Sequence, residues 1–565
     1  MIASCTAFKG IDERLELADS FSTAVYAEDF RVNSASSLEL RGQIISLGGV
    51  FSQIEGVWAG VYKGSELALF SAGGGLYKIT DLTRYNAPEK LCDIGVGEMQ
   101  AFEFGGSIYI KNSRFYGRYD GNTVTAVTGY IPLVAISCAP TGEGEVFEEI
   151  NLICDKRRQQ FSGDGASVLY YLAEEGIDEI VSITVDGKPY SYEYALDEGR
   201  AVSIQQPFPK GLNNVEIVYR KKNAESDRER ILNCRRVMLF GGNSDGRVFL
   251  YGNDDFPNYR FHSSLASGIP SAEYFPINAF TVIGKTKINC IVQQYDKQLI
   301  FASDQAYYSY CELREDGLGN IYSSFPVFSL NGSKGCIIET DSCIIDNRPV
   351  TLCDDGLNIW ESTSVVNEKN ARCFSMPIEK TLKAARLIKG TSYSLCDLQA
   401  NRELFFIIDD SAFVYNYGND CWYRFKGFGG NYFRAVGDKL IFARGAELFA
   451  YSEQFARTDC GVWKSGFIKA WQNDSGVDIR SVDLDVYAEN CYLHLYFERA
   501  NGERIDREAR FSVEEGGFRR IRLRLGFRRA MPFRIVLEAS GGKILLHSIS
   551  INLRKKERSL RNGIL

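Results

Sequence analysis

The stretch YDKQLIFASDQAYYSY, residues Tyr295–Tyr310, decides the fold that the sequence predicts. The apolar run Leu299–Phe301 leads into a short turn at Ser303-Asp304, and the aromatic run Tyr307–Tyr310 follows. Two β-rich runs separated by a short polar turn are typical of a β-hairpin. The sequence therefore predicts an antiparallel strand pair at this position.

The same pattern of apolar strand, polar turn and aromatic-ended strand recurs along the chain. The further copies are LALFSAGGGLYKI (67–79), FGGSIYIKNSRFY (104–116), VMLFGGNSDGRVFLY (237–251), VTLCDDGLNIW (350–360), LFFIIDDSAFVY (404–415) and LIFARGAELFAY (440–451). Successive copies are a few tens of residues apart, and a four-stranded propeller blade takes about 40–50 residues. The two missing strands of a blade are expected between hairpins, for example at Ile288–Gln293 and Cys336–Glu339.

These repeats predict an all-β protein built as a six- or seven-bladed β-propeller. A single blade cannot bury both of its faces, so blades must stack on neighbours. The predicted number of blades is six or seven, because a strand from the far end of the ring can complete the first blade. The alternative is a set of unrelated hairpins in a β-sandwich.

Residues 141–232 interrupt the repeat. Ile183 and Val185 alternate with Thr184, and the hairpin turn Asp186-Gly187 follows. About seven short strands in about 90 residues predict an immunoglobulin-like β-sandwich. Because it lies between two hairpins of the repeat, we expect an inserted domain, which loops tolerate since closure entropy rises slowly with length.

A second β block covers residues 463–553 and predicts a C-terminal β-sandwich. Alternation divides RRIRLRLGF (519–527) into an apolar face and an arginine face. The faces consist of Ile521, Leu523 and Leu525 against Arg520, Arg522 and Arg524. The arginine face either docks on an acidic partner or serves only solubility, as charged outer faces normally do.

The predicted organisation follows from these segments. An extended N-terminal segment (1–50) leads into the first blade, and the propeller is divided between 51–140 and 233–462. The inserted sandwich occupies 141–232, the C-terminal sandwich 463–553, and a basic tail 554–565.

Bulk composition narrows the function classes. The net charge of −7 gives no general attraction to nucleic acid or anionic membranes. The 15 cysteines are scattered without a CxxC pair, which predicts free thiols in a reducing cytoplasm. The three histidines, His262, His494 and His547, are too far apart in sequence to suggest a metal site. No secretory signal opens the chain, and no window reaches the ~20 apolar residues of a membrane span.

Paired acids are the most obvious candidates for catalysis. They are Glu148-Glu149, Glu174-Glu175, Asp354-Asp355 and Asp409-Asp410. The two aspartate pairs fall in predicted hairpin turns, where Asp is favoured for its local hydrogen bonds. In CDDGLNIW (353–360), the nearest match to a sialidase Asp-box, Cys353 replaces the serine and Gly356 comes one place too early.

Other catalytic signatures are missing from the sequence. It has no phosphate loop, no GxSxG elbow, no HExxH motif and no zinc-spaced cysteine set, and Gly241–Arg247 is interpreted as a turn. We therefore predict a protein that is not an enzyme, with no catalytic, cofactor-binding or metal residues and no cofactor.

Two stretches resemble bacteriophage tail proteins of the nozzle, or tail-stabilisation, family. The N-terminal segment is similar through Asn33, Leu38 and Arg41-Gly42. The second resemblance is carried by Gly241-Gly242, Arg247-Val248-Phe249, Gly252-Asn253, Pro257-Asn258, Ser263, Tyr274-Phe275-Pro276 and Gly284, and in the insertion by Phe161, Gly163-Asp164-Gly165 and Val185-Asp186-Gly187. Tyr251 departs from the pattern, where a small residue is usual. The similarity covers roughly residues 1–460 and rests on turn and aromatic residues.

The resemblance implies a structural virion protein of the tail, assembled in the host bacterial cytoplasm. Such proteins form a homo-oligomeric ring, which we expect to be a hexamer, below the phage portal and adaptor. Viral DNA passes through that ring during ejection without sequence-specific binding. Two rival hypotheses are a receptor-binding propeller at the tail tip and a glycan hydrolase. A mutation of Asp354 and Asp355 that abolished hydrolysis would support the hydrolase.

Overall fold

A computed structural model gives the fold. It describes residues 2–15, 17–18, 21–241, 246–315, 321–340, 343–362, 369–458, 460–468, 477–499, 501–502, 504–513, 517–530 and 532–555. Nearly all secondary structure in these ranges is β, which confirms the predicted all-β class. Both described α-helices have 8 residues, and no helix in these ranges is long and apolar enough to cross a membrane.

The chain divides into two compact units. Unit 1 comprises Met1–Leu69, Lys78–Glu89 and Thr340–Leu565, and unit 2 comprises Phe70–Tyr77 and Lys90–Glu339. Each unit is described by itself below.

The N-terminal segment contributes strands to several sheets. These strands are β1 (Ile2–Cys5), β2 (Lys9–Ile11), β3 (Leu17–Ala18), β4 (Thr23–Glu28), β5 (Phe30–Val32), β6 (Leu38–Leu40) and β7 (Ile44–Gly49). Strands β1 to β6 join sheets that are completed by strands from the C-terminal part of the chain.

Two four-stranded sheets follow. Their strands are β8 (Ile54–Tyr62), β9 (Ser65–Ala72), β10 (Gly75–Ile79), β11 (Glu89–Asp93), β12 (Gln100–Phe104), β13 (Ser107–Lys111), β14 (Tyr116–Tyr119) and β15 (Val124–Ala126). In the second sheet every strand is antiparallel to the next one in sequence.

Residues 133–220 form a six-stranded and a three-stranded sheet. Their strands are β16 (Leu133–Cys138), β17 (Glu145–Val146), β18 (Lys156–Gly163), β19 (Leu169–Tyr171), β20 (Glu179–Val185), β21 (Lys188–Pro189), β22 (Tyr194–Asp197), β23 (Ala201–Ile204) and β24 (Gly211–Arg220). The sheet orders are β17-β16-β18-β24-β20-β21 and β19-β23-β22. Phe161 and Ile217 of the first sheet share one apolar core with Tyr170 and Val202 of the second, so the sheets pack face to face.

Helix α1 (Glu225–Leu232) leads out of the insertion into the repeated sheets of unit 2. The strands here are β25 (Arg236–Phe240), β26 (Arg247–Tyr251), β27 (Tyr259–His262), β28 (Leu265–Ala266), β29 (Ile269–Pro270), β30 (Phe280–Val282), β31 (Ile288–Gln294), β32 (Lys297–Ala302), β33 (Ala306–Tyr310), β34 (Glu312–Glu315), β35 (Ile321–Ser324) and β36 (Val327–Asn331). They give the four-stranded sheets β25-β26-β27-β30 and β31-β32-β33-β36, and each of these sheets carries one extra small hairpin.

Unit 1 continues with a four-stranded sheet, then with four strands that belong to a 12-stranded sheet, and then with three strands that a strand of the N-terminal segment completes. Their strands are β37 (Ile344–Ile345), β38 (Arg348–Cys353), β39 (Gly356–Ser362), β40 (Lys369–Cys373), β41 (Tyr393–Leu398), β42 (Glu403–Ile408), β43 (Ser411–Asn416), β44 (Cys421–Lys426), β45 (Asn431–Val436), β46 (Lys439–Arg444) and β47 (Glu447–Ser452). The 3-10 turn Met376–Ile378 and helix α2 (Glu379–Arg386) connect β40 to β41, and a second 3-10 turn, Gln399–Asn401, precedes β42.

Strand β7 completes the sheet formed by β45, β46 and β47. Its residues pair antiparallel with β47, from Ile44 opposite Tyr451 to Gly49 opposite Glu447. A strand near the N-terminus thus completes a sheet near residue 450, whereas the sequence predicted that a strand from the far end completes the first blade; β8–β11 form a sheet of their own. The first strands of consecutive sheets also lie side by side: β12, β25 and β31 in unit 2, and β41, β45 and β8 in unit 1.

The C-terminal strands form two sheets in unit 1. They are β48 (Cys460–Ser465), β49 (Phe467–Ile468), β50 (Val477–Glu489), β51 (Cys491–Arg499), β52 (Arg504–Val513), β53 (Gly517–Ala530), β54 (Phe533–Ser540) and β55 (Lys543–Lys555). The first C-terminal sheet has the order β5-β6-β55-β50-β53, with β1 also on β55. The strands β4-β48-β54-β51-β52, named the second C-terminal sheet, are part of a 12-stranded sheet, because β4 also pairs with β44 and so connects them to β41–β44.

The predicted hairpin at Tyr295–Tyr310 is confirmed as β32 and β33, with Leu299 opposite Tyr308. One strand prediction is wrong. Residues Cys336–Glu339 form no strand, and β36 completes that sheet instead. Cys336 is fully buried and donates its N–H to the Ala302 carbonyl at 2.8 Å, so this apolar run covers the hairpin turn rather than extending the sheet. The turn predicted at Gly241–Arg247 lies mostly outside the described residues.

Candidate functional site

The paired acids singled out in the sequence lie in turns or bind to nearby groups of the same chain. Asp354-Asp355 and Asp409-Asp410 lie in the turns between β38 and β39 and between β42 and β43, as predicted. Glu148 accepts hydrogen bonds from the Tyr130 hydroxyl at 3.0 Å and from the Leu133 N–H at 2.6 Å. Glu174 lies 3.1 Å from Arg157 Nε. These acids serve local structure.

The three histidines lie on different strands, β27, β51 and β55. Among the described residues no group of three or more histidine, cysteine or acidic side chains is placed to hold a metal ion. All 15 cysteines, each within the described ranges, are free thiols.

A cleft on the outer face of the second C-terminal sheet is the best-formed candidate site. It consists of two adjoining cavities of about 390 and 720 Å³, and Val462 and Glu538 line both. Clefts that hold small molecules measure roughly 300–1,000 Å³. The whole lining belongs to unit 1.

Strand register explains which side chains meet in the cleft. Residues directly opposite one another on antiparallel strands point to the same face. Glu538 on β54 is opposite Val462 on one side and His494 on the other. In the next row, Lys464 and Tyr496 flank β54 in the same way, and Tyr26 on β4 is opposite Lys464. The outer face is therefore a grid of polar and aromatic groups.

Hydrogen bonds fix the middle of the cleft. The Tyr496 hydroxyl donates to Glu538 Oε1 at 2.8 Å and accepts from Arg504 Nη2 at 2.6 Å. His494 Nδ1 lies 3.2 Å from Glu538 Oε2. Burial, and then the hydrogen bond to Glu538, raise the pKa of Tyr496 to about 12. This phenol therefore remains a neutral donor at physiological pH.

Ion pairs hold three of the four cations in the lining of the larger cavity: Arg504 pairs with Glu538, and both Lys464 and Arg534 pair with Glu498. Arg534 Nε binds Glu498 Oε2 at 2.7 Å, and this pair satisfies the buried Glu498 carboxylate. The Arg504 guanidinium lies 4.1 Å from the centre of the Tyr496 ring, and Lys464 Nζ lies 5.7 Å from that of Tyr26. Such cation–π contacts orient a cation without neutralising it.

The N-terminal segment forms the far wall of the larger cavity. The Glu13 carboxylate accepts hydrogen bonds from the backbone N–H of Thr381, at 3.0 Å, and from its hydroxyl. These contacts satisfy a donor in the first turn of α2, where the helix dipole favours a negative charge. Lys380, the residue before Thr381, also lies on the cleft lining.

Sequence analysis did not find this cleft. The alternation in CYLHLYFER (491–499) predicts a strand but not its neighbours, and β54 lies between β48 and β51 although it follows both in sequence. The arginine face on β53 was found, but two of its members are already paired: Arg520 lies 3.1 Å from Asp485, and Arg522 lies 2.7 Å from Asp483.

A second titratable group lies on β41. Burial, and then the negative charge of Asp346, raise the pKa of Asp397 to about 7, against a hydrogen bond with Tyr417 that lowers it. Asp346 is itself paired with Arg402, with an N–O distance of 3.0 Å. Asp397 is therefore a carboxyl group that changes charge near neutral pH.

We expect Asp397→Asn to stabilise unit 1 above pH 7. Since the folded-state pKa is raised, the folded protein binds the Asp397 proton more tightly than the unfolded chain, and stability falls as the pH rises from about 4 to 7. The variant lacks this carboxyl group and so does not lose stability in that range. Its free energy of unfolding should exceed that of the wild type by about 1–2 kcal/mol at pH 8 and differ little at pH 4. Urea unfolding followed by tryptophan fluorescence measures both, and the variant Asp354→Asn, in an exposed turn of the same unit, is the control. Equal pH slopes in variant and wild type would contradict the raised pKa.

No family model and no curated protein matches the chain. Solved structures with some likeness include PorZ, an essential surface component of the type-IX secretion system of Porphyromonas gingivalis, at 13% identity and a TM-score of 0.33 over 75% of this chain and 43% of that one. This chain therefore spans less than half of PorZ. YCF48 bound to D1 peptide gives 8% identity and a TM-score of 0.34 over 73% and 95% of the two chains. The extracellular domain of BT4673 from B. thetaiotaomicron gives 10% identity and a TM-score of 0.20, over 90% of this chain and 91% of that one. Likenesses this weak leave the function to be argued from the chain itself.

Proposed function

We propose that the chain is a structural subunit of a bacteriophage tail of the nozzle type. In this proposal six copies form a ring below the portal and adaptor, and DNA passes through it during ejection. The net charge of −7 suits that role, because a conduit must let phosphates slide past without holding them. The chain has no catalytic role in this proposal.

The proposed subunit is a seven-bladed β-propeller with two added β-sandwiches. Its blades are the four-stranded sets β8–β11, β12–β15, β25–β27 with β30, β31–β33 with β36, β37–β40, β41–β44, and β45–β47 with β7. The adjacent first strands within each unit and the β7–β47 pairing support this arrangement. The insertion β16–β24 is then an immunoglobulin-like sandwich, and the C-terminal sheets form the second one.

Two sheet edges of opposite charge carry the assembly proposal. In the described ranges β53 pairs only with β50, and its exposed arginines include Arg520 and Arg524. In the same ranges β17 pairs only with β16, and Glu143 and Glu145 are exposed beside it. Large apolar side chains also face solvent at both edges: Val146 is 88% exposed, Phe147 59% and Phe518 69%.

Complementary edges at two places on one chain favour head-to-tail contacts between copies. A contact that uses two different surfaces of identical subunits generates a ring when its rotation closes. The acidic edge of the insertion on one copy would meet the basic edge of the C-terminal sandwich on the next. Exposed edges of this kind are templates for pairing unless something covers them.

Paired charge reversals test the assembly. One variant, Arg520→Glu with Arg524→Glu, has two acidic edges, and a second, Glu143→Arg with Glu145→Arg, has two basic edges. We expect mass photometry to show rings for the wild-type chain, monomers for each variant alone, and rings of alternating copies for an equimolar mixture. The control Lys389→Glu changes an exposed charge elsewhere and should assemble normally. Variants that assemble like the wild type, or a wild-type chain that remains monomeric at its highest soluble concentration, would contradict the proposal.

Recognition of the host surface is the second candidate function, and the cleft on the second C-terminal sheet favours it. A cleft of this size on an added domain, lined by Tyr26, Tyr496 and several cationic groups, offers a binding surface that a purely structural wall does not need.

A further inference from the structure

We infer that the cleft on the second C-terminal sheet binds a neutral oligosaccharide. The inference names a ligand for the cleft and rests neither on ring assembly nor on recognition of a host. Three observations carry it: the charges of the lining are compensated, one tyrosine ring is uncovered, and the polar groups beside that ring are held in place by their neighbours.

The charges of the cleft lining favour an uncharged ligand. Glu538 pairs with Arg504, and Glu498 pairs with two further cations of the lining. The fourth cation, Lys380, also interacts with another group, and the Glu13 carboxylate is bound to the first turn of α2. A charged ligand would therefore gain an ion pair only by disrupting one that exists, which leaves a charge without its partner.

The uncovered ring belongs to Tyr492 on β51, which lines the smaller cavity and is 62% exposed. Among the described residues, none forms a hydrogen bond with its hydroxyl, and no ring or cation stacks on it. The ring of Tyr496, by contrast, is covered by the Arg504 guanidinium, 4.1 Å from the ring centre. An uncovered tyrosine ring offers a large apolar contact surface with little conformational freedom to lose. Sugar rings carry C–H groups on one face, and these pack on such a surface.

Glu538 and Ser540 lie beside that ring on the same face of the sheet. Ser540 is directly opposite Tyr492, and Glu538 is opposite His494 in the adjoining row. The Glu538 carboxylate lies 2.8 Å from the Tyr496 hydroxyl and 3.2 Å from His494 Nδ1, so its orientation is fixed. A carboxylate has about four acceptor positions, and the exposed Ser540 hydroxyl both donates and accepts. The hydroxyls of a neutral sugar also donate and accept, and they match this pair.

The position of the cleft within the sheet disfavours an extended peptide. Strand β54, which carries Glu538 and Ser540, pairs with β48 on one side and with β51 on the other. Its backbone groups are therefore used within the sheet, and the cleft offers no strand edge to which a peptide strand could be added. The ligand has to be recognised by side chains on the face, which suits a ring with several hydroxyls.

The extent of the cleft favours several sugar rings over one. The two cavities measure about 390 and 720 Å³, and Glu538 lines both. Tyr492 and Tyr26 lie at opposite ends, three strand spacings apart across the sheet and four residues apart along it. Strand geometry makes that separation roughly 20 Å. A linear chain of several sugars would pass Glu538 and contact both ends.

Titration calorimetry on the full chain tests the inference with three neutral probes, cellohexaose, mannohexaose and chitohexaose. We expect saturable binding of at least one of them with a Kd below about 1 mM, and binding of glucose, hexagalacturonate and inorganic phosphate that is at least about tenfold weaker. Because no ion pair forms with the ligand, the Kd should change by less than about twofold between about 50 and about 500 mM NaCl.

Variants of Tyr492 and Glu538 locate the site. Tyr492→Ala should weaken binding of the tightest neutral probe by about fivefold, whereas Tyr492→Phe keeps the ring and should bind within about twofold of the wild type. Glu538→Gln should weaken binding by about tenfold. The matched controls Tyr85→Ala and Glu89→Gln alter an exposed tyrosine and an exposed, paired glutamate elsewhere in unit 1 and should bind as the wild type does. Thermal unfolding of each variant verifies that it folds.

Several results would overturn the inference. These are no binding of any neutral probe up to about 10 mM, tighter binding of hexagalacturonate or phosphate than of every neutral probe, loss of binding at high salt, and unchanged binding in both Tyr492→Ala and Glu538→Gln. Mass photometry of Tyr492→Ala keeps sugar binding apart from assembly, since this variant should bind the sugar weakly and still form the same oligomers as the wild type.

Discussion

Arg31→Met is expected to lower the free energy of unfolding of unit 1 by about 3–5 kcal/mol. Arg31 on β5 lies between two carboxylates from distant parts of the chain: its Nη2 is 3.0 Å from Glu403 Oε1, and its Nη1 is 2.8 Å from Glu453 Oε2. Both acids are buried, Glu403 completely. Methionine fills similar space but leaves the fully buried Glu403 carboxylate without its ion-pair partner, while Glu453 keeps only Arg457, and this costs far more than the loss of a surface ion pair.

The pKa directions in this cluster follow from the same contacts. Burial would lower the pKa of Arg31, but Glu403 and Glu453 raise it. Burial raises the pKa of Glu403, and for Glu453 the combined effect of Arg31, Tyr451 and Arg457 outweighs burial and lowers it. Without Arg31 both acids should take up protons more readily. The loss of stability should therefore be largest at alkaline pH and shrink toward pH 5.

Tryptophan fluorescence during urea unfolding isolates this effect, because the tryptophans within the described ranges belong to unit 1. They are Trp58, Trp360, Trp422 and Trp463, and Trp471 lies outside those ranges. The control Arg14→Met removes an exposed pair with Asp12 and should cost no more than about 1 kcal/mol. Equal midpoints for Arg31→Met and Arg14→Met would show that the buried cluster does not stabilise unit 1.

Local pattern made the hairpins predictable. The apolar run around Leu299 and the short polar turn act within a few residues, so the sequence itself selects the strand pair. The Asp186-Gly187 turn has the positive φ angles, 48° and 74°, that a tight hairpin turn requires. By contrast, Cys336–Glu339 looks like a strand locally, but Cys336 is buried and donates its N–H to the Ala302 carbonyl, a contact that no local pattern reveals.

The Arg31 cluster and the cleft could not be predicted, because they depend on contacts between residues that are far apart in the sequence. Nothing around Arg31 indicates that Glu403 and Glu453 will surround it, since these partners lie more than 370 residues away in the sequence. The cleft was hidden for the same reason: Lys464, Glu538 and His494 become neighbours only because β54 is placed between two strands that precede it. Alternation assigns a side chain to a face, but it does not say which strands share that face.

Leu47→Asn should destabilise unit 1 by about 3–4 kcal/mol, nearly as much as the loss of Arg31. Leu47 is fully buried on β7, the strand that completes the sheet of β45–β47. Its carbonyl also accepts the N–H of Asn86 at 2.7 Å, so the backbone there is fixed from a second side. Asparagine removes apolar burial and places an amide where an apolar side chain was enclosed. Urea unfolding measures the loss, and amide exchange of residues 439–452 reports whether β46 and β47 open.

The adjacent substitution Ser46→Asn is the matched control, because Ser46 is only partly buried and its hydroxyl lies 3.5 Å from the exposed Glu447 carboxylate. It should change stability by no more than about 0.5 kcal/mol and leave exchange in β47 unchanged. Faster exchange in β46 and β47 for Leu47→Asn alone would mean that the N-terminal strand holds this sheet closed, as a propeller joined by its two chain ends requires. If Leu47→Asn destabilises the protein while β47 keeps its protection, then β7 contributes to the core without closing the sheet, and the seven-bladed arrangement loses its main support.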